Sequence, residues 1–203
     1  STVLDGFVIT GGNAREGAAA DVLAASGGGL LAFDGTPVVR HCTFRFNSAL
    51  FGGAAAFIGP GAQDAARIED CVFVSNGTLA GGEGGALMHN SSILFVHRSV
   101  FYGNRASWGG GLDCATAGLV LTDCVFSGNR ASFGAGLNVN NSLWVAVTNC
   151  TFVSNAALEY GGAVRNEGGQ VDIRNSILWG NTAGRVGGEI AVFAEGMVAA
   201  AFK

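Results

Sequence analysis

Apolar residues recur at every second position in short runs along this chain, as at Leu119 and Leu121, Val145 and Val147, and Val171 and Ile173. A period of two is the mark of a strand with one buried side, and no window longer than a few residues carries helical spacing. The runs are short and are broken by glycine pairs, so the pattern predicts units of two or three brief strands joined by bends.

The units repeat. A (Cys/Ser)-x-(Phe/Leu)-x-x-Asn phrase starts at Cys42, Cys71, Ser99, Cys124, Cys150 and Ser176 and ends at Asn47, Asn76, Asn104, Asn129, Asn155 and Asn181, the asparagines falling 29, 28, 25, 26 and 26 residues apart. Between successive phrases lies a glycine step opening at Gly27, Gly52, Gly84, Gly109, Gly134, Gly161 and Gly187, and a degenerate first copy runs from Phe7 to Thr10 and leads to Asn13. A unit this small cannot bury its apolar side alone. Stacked on its neighbours at about 4.8 Å it forms one continuous core and pairs every backbone group with the coil above and below. The expected fold is all-β: a parallel β-helix of about seven coils of 25–29 residues, a rod of roughly 35 Å.

Each repeated residue then has an expected structural role. Phe44, Phe73, Phe101, Phe126 and Phe152, with Leu178 ending the row, form an internal ring stack. Asn47, Asn76, Asn104, Asn129, Asn155 and Asn181 form an inward amide ladder, each side chain bonding to that of the next coil. The glycine steps turn the chain where a Cβ would meet the neighbouring coil.

Composition removes several alternatives. With 49% apolar and 13% charged residues, 34 glycines and two prolines, the chain is neither a disordered tail, a collagen nor a coiled coil. A net charge of −4 leaves no basic face for nucleic acid. Glu189 and Glu195 interrupt the best candidate for a transmembrane segment. The chain opens at Ser1 directly in strand-like sequence and ends without a polar cap, so residues 1–203 read as a single β-helix segment of a longer protein, with an irregular first coil over residues 1–26.

The Phe-x-x-Asn phrases, together with Gly84 to Leu87 and Gly161 to Val164, resemble the FxxN and GGA(I/L/V) repeats of the polymorphic outer-membrane proteins and of the wider pectate-lyase-like group. The resemblance spans nearly the whole chain. It implies a right-handed β-helix displayed at a cell surface or secreted. It implies no single activity, because β-helices serve as adhesins, lyases, hydrolases and scaffolds.

Candidate chemistry lies on the outward rows. Arg40, Glu69 and His97 share one row, and His41, Asp70, Arg98 and Asp123 the next. Alternating signs predict exposed cross-coil ion pairs of small worth. The enzymatic alternative is a polysaccharide lyase or glycosidase site, with Glu69, Asp70 and Asp123 as acid, base or calcium ligands and Arg98 as proton acceptor beside an acidic sugar. Trp108, Phe133 and Tyr160, each before a glycine step on consecutive coils, form a candidate ring platform for a sugar face or protein partner, with Arg105 and Arg130 beside it as an anion-binding edge. Three segments break the repeat and are expected as loops: Ala14 to Ser26, Gly59 to Ala65 and Gly77 to Glu83.

Five cysteines, four of them at a position also held by serine, read as small core residues. No metal-ligand spacing occurs, and no cofactor is expected. The expectation for function is a non-catalytic adhesive or structural module, extracellular or at the cell surface, facing a glycan or protein or covered at its ends by neighbouring domains. The third alternative is a scaffold element within an intracellular assembly.

Overall fold

A computed structural model describes residues 2–14, 21–59 and 65–193. Among them there is no helix; the strands build a parallel solenoid with three seven-stranded sheets. In the middle of the rod one coil runs through Gly118–Thr122 in the first sheet, Val125–Ser127 in the second and Leu137–Asn140 in the third. Each strand pairs in parallel with its counterpart one coil earlier and one later, as Val125, Phe126 and Ser127 do with Val100, Phe101 and Tyr102 and with Thr151, Phe152 and Val153. A fourth, shorter side carries two three-stranded sheets, joined through single bridges from Arg105 and Trp108 of the intervening coil.

Corners are made by single residues in the left-handed region. Gly6, His41, Asp70, Arg98, Asp123, Asn149 and Asn175 turn the first sheet into the second, with φ between 44° and 77°. Five of these seven are Gly, Asn or Asp, the types that tolerate this conformation best. The glycine steps solve two problems at once. Gly109 has φ 62°, and a Cβ on Gly110 would lie 2.5 Å from the Arg130 carbonyl oxygen of the next coil. The first glycine supplies the turn; the second lets two coils approach.

The interior is held by repeated contacts. Rings of Phe44, Phe73, Phe101, Phe126 and Phe152 are fully buried and stack at 4.5–4.9 Å between centroids, within 8° of parallel. Ile9 and Leu178 continue the row at its two ends. Beside it, the Asn129 side-chain oxygen accepts the backbone N–H and the side-chain amide of Asn104, both at 3.0 Å. Its own amide donates to the Phe101 carbonyl and the Asn155 Oδ1, both at 2.9 Å. The same bonds recur from Asn47 to Asn181. There the Glu189 carboxylate accepts the Asn181 amide at 2.6 Å, standing where the oxygen of a further asparagine would be.

The Cys/Ser position is a relay of the same kind. Ser99 Oγ donates to the His97 carbonyl at 2.9 Å and accepts the Cys71 N–H at 3.1 Å, while Cys150 Sγ donates to the Thr148 carbonyl at 3.3 Å and accepts the Cys124 N–H at 3.5 Å. A small side chain with one donor and one acceptor suffices, which is why thiol and hydroxyl interchange. All five cysteines are free and buried, and burial pushes the Cys71 and Cys114 thiols up to about 12.

The amide ladder ends at Asn47: Asn13 pairs with Ser48, and the place opposite Asn47 belongs to Gly12, whose N–H donates to Asn47 Oδ1 at 2.9 Å. One expectation changes. Gly77–Glu83 is a strand, not a loop; it follows Ser48–Phe51 and absorbs its extra residues as a bulge between Thr78 and Glu83. Parts of the other two expected loops, residues 15–20 and 60–64, lie outside the described residues, as does the C-terminal stretch 194–203.

Candidate functional site

The charged corner comes together as a chain of pairs. Asp5 receives Arg40 at 2.9 Å and faces His41 Nδ1 at 2.8 Å. Arg98 grips Asp70 with two parallel bonds, 2.8 Å from Nε to Oδ1 and 2.7 Å to Oδ2, and His97 lies 3.5 Å from Asp123. The Arg98 hydrogen bond holds the Asp70 carboxyl below its ordinary range, and the His41 bond does the same for Asp5. Asp70 is thereby an ionised, occupied acceptor, and Arg98 a cation already neutralised. Glu69 lies beside His97 on the first sheet, in a shallow surface with Phe95, over whose ring the Arg67 guanidinium sits 5.1 Å from the centroid. Among the described residues no three His, Cys, Asp or Glu side chains gather as metal ligands.

The ring row has a different geometry from a platform of exposed faces. Trp108, Phe133 and Tyr160 are half-buried, aligned in register, and stacked on one another with centroids 4.2 and 5.9 Å apart and planes 20° and 26° from parallel. Coil spacing sets this arrangement, since adjacent rings at about 4.8 Å turn their faces toward each other. The strip therefore offers ring edges.

Behind the strip lies a group the repeat reading did not single out. The middle position of the third-sheet strands points away from the core, yet Asp113, Asn138 and Arg165 are buried there. Asn138 donates to Asp113 at 2.6 Å, Arg165 donates to Asn138 at 3.1 Å and to Glu167, and the Arg165 guanidinium lies 5.2 and 5.3 Å from the Trp108 and Phe133 ring centroids. Phe193 covers it from a third direction, edge-on to Tyr160. Burial pushes the Asp113 carboxyl up to about 7, with the neighbouring Glu83 charge adding to the rise and the Asn138 bond opposing it. Burial also raises Glu83. The signal was present in the alignment of repeats: the residue after the apolar position of each glycine step changes from Met88 to Asp113, Asn138 and Arg165 on consecutive coils.

Arg105 and Arg130 lie on the short fourth side, on the same strands and bridges as the ring row. From ladder asparagine to turning glycine the chain takes eight residues in one coil (Asn76 to Gly84), five in each of the next two (Asn104 to Gly109, Asn129 to Gly134), and six in the one after (Asn155 to Gly161). Two minimal coils between two longer ones leave a groove of about 390 Å³. Its ends are Thr78 to Ala80 and Ala156 to Leu158; its floor is Ala106, Ala131 and Ala157, with Ser107 and Ser132 beside them. Both arginines line it, both are exposed, and neither has an acidic partner among the described residues. None of the three rings lines it, although Phe133 ends the strand that Arg130 begins and Trp108 follows Arg105 by three residues.

A rod of stacked parallel coils with inward aromatic and amide ladders defines the class of the protein. The family model described as a right-handed β-helix region matches residues 22–178, and the chain belongs to that family. The coils are accordingly right-handed, the hand that parallel crossovers favour. No curated protein and no solved structure matches the chain.

Proposed function

We propose that this chain is a non-catalytic β-helix module of a larger secreted or surface protein, which holds a fixed outward face toward a glycan or protein partner. One observation carries the reading: three rings on consecutive coils are locked in register at the surface, while two of the three candidate acids face basic partners, Asp70 facing Arg98 and Asp123 facing His97. Asp70 is held by Arg98, and Asp113 is buried behind the rings. A rigid rod presents its contacts at one pitch, so they add along its length without the entropy of ordering a loop.

The test is binding of the purified chain to a glycan array and to candidate surface proteins, beside a variant carrying Trp108→Ala, Phe133→Ala and Tyr160→Ala. Binding is expected to fall about tenfold or more, as for loss of aromatic anchors, with the circular dichroism of the strands retained. Unchanged binding removes the ring row from the reading. Release of sugar products from an anionic polysaccharide, lost on Asp70→Asn, replaces it with the lyase alternative.

A further inference from the structure

We infer that the groove on the fourth side is a docking site for an acidic peptide segment, bound extended along the rod with carboxylate side chains on Arg105 and Arg130. The inference rests on the reading of this chain as a partner-binding module and names the partner's chemistry.

Charge is the first argument. The protein is net negative, at −4, and the arginines at 40, 98, 165, 174 and 185 are each paired with a carboxylate; Arg45 and Arg67 are not, but each stands on its own coil with no arginine opposite it. Arg105 and Arg130 stand alone in register on adjacent coils, joined by a direct backbone bridge. Two like charges about 4.8 Å apart at the backbone repel, and an anion between them relieves that repulsion. Guanidinium forks suit carboxylates, which they take in two parallel bonds.

Shape is the second. The groove crosses the two minimal coils and is closed at each end by a longer one, a span of about 14 Å for three coil spacings. That accommodates about four extended residues, whose alternate side chains fall about 7 Å apart on one side, within reach of two splayed guanidiniums. The alanine floor admits a backbone closely, and the end walls bring Leu79 and Leu158, the latter 74% exposed, against apolar side chains of the segment.

The lining residues are the third. Among them are hydroxyls, alanines, leucines and the two arginines, but no carboxylate, no side-chain amide and no ring. Those missing groups are the planar acceptors and apolar ring faces that hold a sugar's hydroxyls and its body. The lining therefore favours an acidic peptide over an anionic saccharide.

The experiment is a backbone-amide NMR titration of the full chain with the capped peptide Leu-Glu-Ala-Glu-Leu, the same peptide with both acids changed to glutamine, and a sulfated disaccharide. Saturable shifts are expected at Ala106, Ser107, Ala131, Ser132 and Leu158 with the acidic peptide, weakening with added salt. The double variant Arg105→Gln, Arg130→Gln should weaken binding at least about tenfold and leave the melting curve unchanged, because both side chains are exposed. Leu158→Ser should weaken it less. Equal binding of the glutamine peptide, shifts confined to other surfaces, no shifts at all, or saturation by the disaccharide alone each overturn the inference. A groove that stays silent while partner binding still depends on Trp108, Phe133 and Tyr160 defeats only this inference; silence on both surfaces defeats the module reading as well.

Discussion

The inner asparagine row and the outer charged corner are two ladders on the same coils, and they are built to different standards. Inside, the same residue recurs six times, and each amide from Asn76 to Asn181 completes four hydrogen bonds, Asn47 at the end of the row three. Outside, Asp5, His41, Asp70 and Arg98 change identity at every step and leave gaps, such as the 3.9 Å between His41 and Asp70. Solvent explains the difference. A buried donor without an acceptor loses its full hydration, whereas an exposed charge without a partner keeps it. Uniformity is thus enforced only where water is excluded. The row of Asp113, Asn138 and Arg165 is the informative intermediate: it points outward like the corner but is covered like the interior, and it carries the interior's penalties.

The largest break in this comparison is Asn129→Ala. It removes four buried hydrogen bonds and strands the backbone N–H and one of the two side-chain N–H groups of Asn104. A loss of at least about 3 kcal/mol is expected from two such orphaned donors, read as a lowered denaturation midpoint.

The intermediate row answers to pH. Native Asp113 keeps its proton up to about 7 while an unfolded carboxyl releases it above 3.8, so stability falls as pH rises through that window. His89, fully buried with Nε2 3.1 Å from the Gly118 carbonyl oxygen, is pushed down to about 4 from its ordinary 6.5. The unfolded chain therefore takes up a proton there that the native state refuses, and stability falls as pH drops from 6.5 to 4. The two slopes oppose each other over the shared window. Asp113→Asn removes one of them. Melting curves should show the variant more stable than the parent above pH 7, and losing stability steeply below pH 6.5 where the parent changes little. Parallel profiles for the two proteins would return Asp113 to an ordinary exposed carboxyl.

The smallest effect is expected at the corner. Asp70→Asn and Arg98→Gln should leave the melting temperature within the scatter of the measurement at moderate salt, although the pair has two good hydrogen bonds, because exposed ion pairs gain little over hydration. A large shift from either would give the outer ladder the standing of the inner one.

The repeat made most of this legible. Phe44 and Asn47 recur with their counterparts at coil spacing, and that periodicity alone implies stacking, since no single unit could bury its rings. The Cys/Ser alternation marked a small polar position, and the interchange is accounted for by a shared hydrogen-bond relay. Less legible was anything depending on neighbours across coils. The unequal spans from Asn76 to Gly84 and from Asn104 to Gly109 are visible in the chain, yet they become a groove only when coils of different girth are stacked. Trp108, Phe133 and Tyr160 were visible as a row, but the direction of their faces follows from the spacing between coils.

By itself, then, the sequence determined the repeat, the inward residues and the fold they demand, because burying a ring or an amide at fixed period admits one arrangement. Only the tertiary structure decided which outward groups are spent on one another and which are left for a partner. That outcome depends on distances between coils: Arg98 and Asp70 fall within a hydrogen bond, Arg165 passes behind the rings, and Arg105 and Arg130 meet no carboxylate among the described residues.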